Sequence, residues 1–215
     1  MNASIARIVI PLGLVAGIAG LGFSSLQNSV ATGQPTLQAA ALTARGSPTL
    51  GPPDAKVQVV EFLDPACEGC RAFYPIVKEI LAQNPGKVRL IVRHVHFHKG
   101  ADFAVKVLEA SRKQGKYWET LDALFSKQST WAVNHAAQPK QVLAIAAGLG
   151  LNMGQLERDM NSPEVAQAMA QDMADAKMIK VQQTPDFYIN GKRLDPFGAE
   201  QLRMRIREEV AAAYR

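Results

Sequence analysis

The segment KVQVVEFLDPACEGC, residues 56–70, constrains this chain more than any other. Its first eight residues are rich in β-forming residues and nearly continuous in apolar character, the pattern of a strand buried on both faces. Asp64-Pro65 marks a turn. From Cys67 onward, Phe73, Ile76, Val77, Ile80 and Leu81 form an apolar stripe at helical spacing. Asn84-Pro85-Gly86 closes that helix after Gln83, and Pro75 inside it is expected to bend it. A buried strand that turns straight into a helix needs a parallel partner reached by crossing over the sheet.

The partner is KVRLIVRHVHF, residues 87–97. Helical patterns follow at 101–114, 117–127, 140–147, 153–160 and 163–180. PDFYIN then reads as a third strand, Asn190-Gly191 as a hairpin turn, and KRL as the return strand. A last amphipathic helix carries Leu202, Ile206 and Val210 on one face. The order predicts a parallel βαβ unit, a helical block and an antiparallel ββα unit. It leaves the first strand-to-helix junction at a crevice edge, where α/β folds place their chemistry.

That junction holds the two cysteines of the chain, Cys67 and Cys70. A domain of roughly 165 residues buries about 70% of its unfolded surface and needs no staple. A loop this short also removes little chain entropy when closed, which argues against a structural disulfide. A zinc site would need two further ligands, and no second C-x-x-C exists. A thiol at the first turn of a helix meets the positive end of the helix dipole and unpaired N–H groups, which favour the nucleophilic thiolate. Cys67 is then the attacking residue and Cys70 the one that resolves a mixed disulfide.

Residues 1–26 read as a membrane signal-anchor or a secretory signal peptide. One arginine precedes an uncharged apolar run at 8–23, and 8–26 as a helix would span roughly 28 Å. Either reading exports the body of the protein, to a periplasmic or other extracytoplasmic site where disulfides persist. Residues 27–46, rich in Ser, Gln, Thr, Ala and Gly, read as a flexible linker. Two of the 24 basic residues and none of the 19 acidic ones precede Asp54, which leaves the remainder at +3. So mild an excess, without a basic stripe, excludes nucleic acid as the partner.

Together these features resemble the thioredoxin superfamily, and within it the DsbA-like periplasmic proteins of the thioredoxin-4 type. The resemblance is carried by SPTLGPPDAKVQVVEFLDPACEGC, ADFAVKVLEASRKQGKYWETLDALF and TPDFYINGK, and covers residues 47–215. It implies an α/β thioredoxin fold, a central mixed sheet flanked by helices, with an all-helical insertion at about 100–180. It implies a redox-active Cys67–Cys70 disulfide with no other cofactor. Thr184-Pro185 matches the family's cis-proline loop, which packs on that disulfide and pairs through the Thr184 backbone with an extended substrate. Glu61 matches a buried acid that accepts the Cys70 proton. The implied partners are exported cysteine-containing proteins and a membrane redox partner.

The chain departs from the family at Glu68-Gly69, the dipeptide between the cysteines that tunes the redox pair. Glu68, with Asp64 and Asp186 expected nearby, should disfavour the Cys67 thiolate and hold its pKa above that of the strongest oxidases. A rival reading rests on His94, His96 and His98, which alternate and would share one face if the strand continued, as copper or zinc ligands. Trp118 and Trp131 are expected to pack helices, with Trp131 in a loop able to line a substrate groove. The reading adopted is an exported oxidoreductase that forms disulfides. The alternatives are a thiol reductase or isomerase, and a metal-binding thioredoxin-like protein.

Overall fold

The computed structural model describes residues 37–42, 46–134 and 136–215. In chain order the elements begin with α1 (Leu37–Leu42), β1 (Thr49–Leu50), β2 (Val57–Leu63), α2 (Glu68–Gln83) and β3 (Val88–His94). The helical block comprises α3 (Ala101–Arg112), α4 (Tyr117–Ser126), α5 (Gln128–Trp131), β4 (Ala132–Val133), β5 (Ala136–Ala137), α6 (Pro139–Ala147), α7 (Met153–Met160) and α8 (Pro163–Met178). The chain closes with β6 (Asp186–Ile189), β7 (Lys192–Arg193) and α9 (Ala199–Ala213).

Strand β2 lies at the centre of a mixed sheet of order β1-β3-β2-β6-β7, parallel to β3 and antiparallel to β6. Flanked on both edges and covered on both faces, it buries six of its seven residues. Period two decides which face each side chain joins. Val57, Val59 and Leu63 enter the large core with α2, α9 and much of the helical block. Val60 and Phe62 enter a second core with Ile91, Tyr188, Ala176, Val181 and Leu42. Glu61 shares the face of Val59 and Leu63, so its carboxylate enters the layer beneath α2. Phe73 of α2 meets Phe187 of β6 at a centroid separation of 5.6 Å, which ties the head of α2 to the start of β6.

The structure corrects several expectations. Part of the span read as a flexible linker is helix α1, with Ala41 and Leu42 buried. The Ala41 carbonyl accepts from Arg93, a fully buried guanidinium that also binds Asp172 at 2.7 Å and Asp175 at 2.6 Å on α8. The all-helical insertion contains a two-stranded ladder, β4 with β5, whose turn passes through Asn134 at φ 51. Strand β3 ends at His94, three residues sooner than expected: the Val95 N–H makes the last ladder bond, to the Leu63 carbonyl, and the N–H groups of Phe97 and His98 turn to the Asp64 carboxylate. Trp131 lies in α5, fully buried, with its indole N–H donated to the Leu124 carbonyl, so it packs the core and lines no groove. Helix α2 runs through Pro75. The bonds Thr184-Pro185 and Asp195-Pro196 are both cis. The apolar run at 8–23 lies outside the described residues, among which no helix is long and apolar enough to cross a membrane.

Candidate active site

Cys67 caps the N-terminus of α2 in an extended conformation, and Cys70 lies in the first turn. The two are unbridged thiols, Cys67 8% exposed and Cys70 wholly buried. Cys67 is thus the more accessible of the two. The protonated Cys67 thiol donates to the Thr184 carbonyl at 3.2 Å. This contact alone favours the thiol. Donors to the sulfur outweigh it, first the Cys70 thiol, then, against the cost of burial, the Thr184 hydroxyl and the N–H groups of Cys70 and Gly69. Cys67 is drawn down to about 5. Burial pushes Cys70 well above its ordinary value, and the hydrogen bond it gives Cys67 and the Glu61 charge add to that.

Glu61 is wholly buried, and neither carboxylate oxygen has a hydrogen-bond partner among the described residues. Burial and then the Cys67 charge raise it to about 8. A carboxylic acid that is protonated at neutral pH thus sits in the layer beneath the thiol pair. Gly69 fits against the cis-proline loop. A Cβ there would lie 3.2 Å from Pro185 Cδ, 3.3 Å from the Thr184 carbonyl oxygen and 3.4 Å from Cys67 Sγ. The structure therefore brings Cys67, Gly69, Cys70, Thr184 and Pro185 to one point, with Glu61 below.

A family model described as thioredoxin matches residues 43–208. The chain belongs to the thioredoxin superfamily, among its DsbA-like members. A thioredoxin-like oxidoreductase from Silicibacter pomeroyi is similar at 33% identity and TM-score 0.68, over 81% of this chain and 96% of that one. A probable disulfide bond formation protein D of Bacillus cereus is 28% identical over 69% of this chain and 72% of its own length. A Na(+)/H(+) antiporter NhaA of Herminiimonas arsenicoxydans is 31% identical over 67% of this chain, which spans only 22% of that protein.

His94, His96 and His98, three of the chain's four histidines, do not share a strand face. His94 is buried, its Nε2 2.9 Å from the Tyr117 hydroxyl and its Nδ1 3.3 Å from Glu109, near enough for attraction but poorly aligned for a hydrogen bond. His98 lies beyond the strand with Nδ1 2.8 Å from Asp64. The early end of β3 breaks the alternation that would have aligned them. Among the described residues no group of three His, Cys, Asp or Glu side chains converges as metal ligands would. Asp186 faces Arg193 at 3.0 Å. Asp64, expected as a negative neighbour of the thiolate, instead spends its carboxylate on the N–H groups of Ala66, Phe97 and His98.

Gln128 was not legible in the sequence. Buried in α5, it donates from Nε2 to the carbonyls of Pro65 (2.9 Å) and Cys67 (3.0 Å) and so fixes the turn that presents the reactive thiol. A glutamine just past a helical pattern, sixty-one residues from Cys67, carries no local sign of that task.

Proposed function

We propose that the chain is an exported thiol–disulfide oxidoreductase that forms disulfides in exported cysteine-containing proteins. One observation carries the reading: the two thiols are pushed in opposite directions, Cys67 down to about 5 and Cys70 up. In the oxidised pair, a substrate thiolate attacks the Cys67 sulfur, and Cys70 leaves, taking a proton from Glu61. The second substrate thiolate then attacks its own partner sulfur in the mixed disulfide. Cys67 departs as a stable thiolate, since a leaving thiol of low pKa leaves faster. Two electrons pass from the substrate to the pair; of the two protons the substrate thiols lose, one restores Glu61 and the other is released.

The Thr184 backbone would align the extended substrate beside Cys67, and a membrane redox partner would reoxidise the pair. Export is supported by the apolar run at 8–23, read as a signal-anchor or signal peptide. A Cys67 value near 5 falls between the roughly 3.5 of the strongest oxidases and the roughly 7 of thioredoxin.

The test is the equilibrium of the full chain against graded glutathione buffers. A potential of about −120 to −180 mV supports a disulfide donor, and one near −250 mV or lower moves the reading to a reductase or isomerase. A Cys70→Ser variant should accumulate a mixed disulfide on Cys67 with a reactive substrate. A pair that does not exchange with glutathione sinks the oxidoreductase reading.

A further inference from the structure

The loop after β3 is tied to the turn that bears Cys67 through contacts that the exchange chemistry above does not use. Asp64, just past the end of β2, is wholly buried, and its carboxylate links two segments. Oδ1 accepts the Ala66 N–H at 2.8 Å, in the turn that carries Cys67. Oδ2 accepts the N–H groups of Phe97 at 2.8 Å and His98 at 3.0 Å, and the ring Nδ1–H of His98 at 2.8 Å. The Asp64 carbonyl accepts the Cys67 N–H at 3.0 Å. One residue thus fastens the imidazole to the Cys67 turn through both its side chain and its backbone.

The charged groups that act on the ring are Asp64, from the turn between β2 and α2, and Cys67 and Glu68, from the head of α2. Burial works against a charged ring. The Asp64 carboxylate outweighs it, the charges of Cys67 and Glu68 add to the same side, and the ring's pKa rises from its ordinary value. The dipeptide between the cysteines offers no basic group of its own, since Glu68 is an acid and Gly69 has no side chain.

We propose that His98, locked in place by Asp64, is a positioning residue for Cys67: its imidazolium supports the thiolate and offsets Glu68, supplying from a separate loop the positive charge that the Glu68-Gly69 dipeptide lacks. The inference rests on the reading of Cys67 as the exchanging thiol. Hydrogen bonds at the head of α2 carry the larger part of the thiolate's stabilisation, so the His98 contribution is modest. Its removal should lower the thiolate-to-thiol ratio at fixed pH by about two- to fivefold.

The test uses the full chain, reduced, with the ultraviolet absorbance of the thiolate followed across pH. His98→Asn keeps an N–H for Asp64 without the charge, His98→Lys restores the charge, and His96→Asn is the control. We expect H98N to lower the thiolate ratio by about two- to fivefold, H98K to recover part of it, and H96N to leave it unchanged. The wild-type rate with iodoacetamide should show a second rise at the pH where His98 loses its proton, since a more basic thiolate is intrinsically more nucleophilic, and H98N should lack that rise. The glutathione equilibrium should shift by the same factor, about 10–20 mV toward a less oxidising pair.

Glu68→Gln reads the same charge balance independently of any variant at 98 and should move the ratio the other way. A titration of H98N that superimposes on wild type, or an equal shift in H96N, overturns the assignment. Unchanged titration with normal glutathione exchange removes only the role of His98. Failure of wild type to exchange removes the oxidoreductase reading, and the thiolate titration still reports on His98.

Discussion

Gly69 packs against Pro185 so closely that a single added methyl would lie 3.2 Å from the proline ring. The glycine between the cysteines therefore packs tightly on the Thr184-Pro185 loop, which must give by a few tenths of an ångström to admit a methyl there.

Gly69→Ala tests that relationship. Overpacking costs about 1–3 kcal/mol, while alanine within a helix recovers about 1 kcal/mol over glycine. The two nearly cancel, so the Tm should change by a few degrees at most. Disulfide transfer to a reduced peptide should slow severalfold as Thr184 moves away from Cys67. A normal transfer rate would show that the loop accommodates the methyl without consequence.

The stability of the reduced and oxidised forms should diverge with pH. The Cys67 pKa in the folded chain, about 5, lies below its ordinary value of 9.0, so the thiolate's contribution is fully present above 9 and is lost as pH falls through 5. At pH 7 it amounts to roughly 2–3 kcal/mol in favour of the reduced form, and the disulfide form has no such term. Urea melts of both forms at pH 7 and pH 4 should show the reduced chain losing its advantage. Parallel curves would contradict the low Cys67 value.

Glu61→Gln should stabilise the chain while slowing exchange. The folded pKa of Glu61, about 8, is raised above its ordinary 4.5, so the folded state holds a proton that the unfolded state releases, and stability falls as pH rises from 4.5 toward 8. Glutamine removes that penalty, on the order of a few kcal/mol at pH 8. Resolution of the mixed disulfide by Cys70 should slow, since its proton partner is gone. Unchanged resolution kinetics would take Glu61 out of the mechanism.

Gln128→Leu removes the donor shared by the Pro65 and Cys67 carbonyls. The Cys67 carbonyl keeps the Arg71 N–H at 3.2 Å, so the Pro65 carbonyl bears the loss. A buried acceptor left unpaired costs about 1–3 kcal/mol, which should appear as a lower urea midpoint in both redox states. Alkylation of Cys67 should become less sharply dependent on pH as the turn loosens. A midpoint equal to wild type would show that another donor replaces the glutamine.

Much of this architecture was legible because local patterns encode it. The unbroken apolar run before Asp64 announces a central strand, and period two then places Glu61 on the same face as Val59 and Leu63, beneath the helix that bears the cysteines. Five helices of the insertion were legible from their apolar spacing, with starts at 101, 117 and 163 that match the structure. Where pattern was too short to register, elements were missed: α1 with six residues, α5 with four, and β1, β4 and β5 with two each. The histidine alternation misled for a related reason. Periodicity assumes that the strand continues, and past Val95 the N–H groups of Phe97 and His98 bond the Asp64 carboxylate instead of a neighbouring strand.

The sequence by itself determined the order of elements, the face on which each apolar residue lies, and the position of Cys67 at the head of a helix. These follow from spacing between neighbours, and the burial of apolar surface is indifferent to which particular partner covers it. Only the tertiary structure decided the polar partnerships: Gln128 with Cys67, Asp64 with His98, and Arg93 with Asp172 and Asp175. A hydrogen bond needs two specific atoms at fixed distance and angle. In each of these pairs the partners lie 34 to 82 residues apart, beyond the reach of any local pattern.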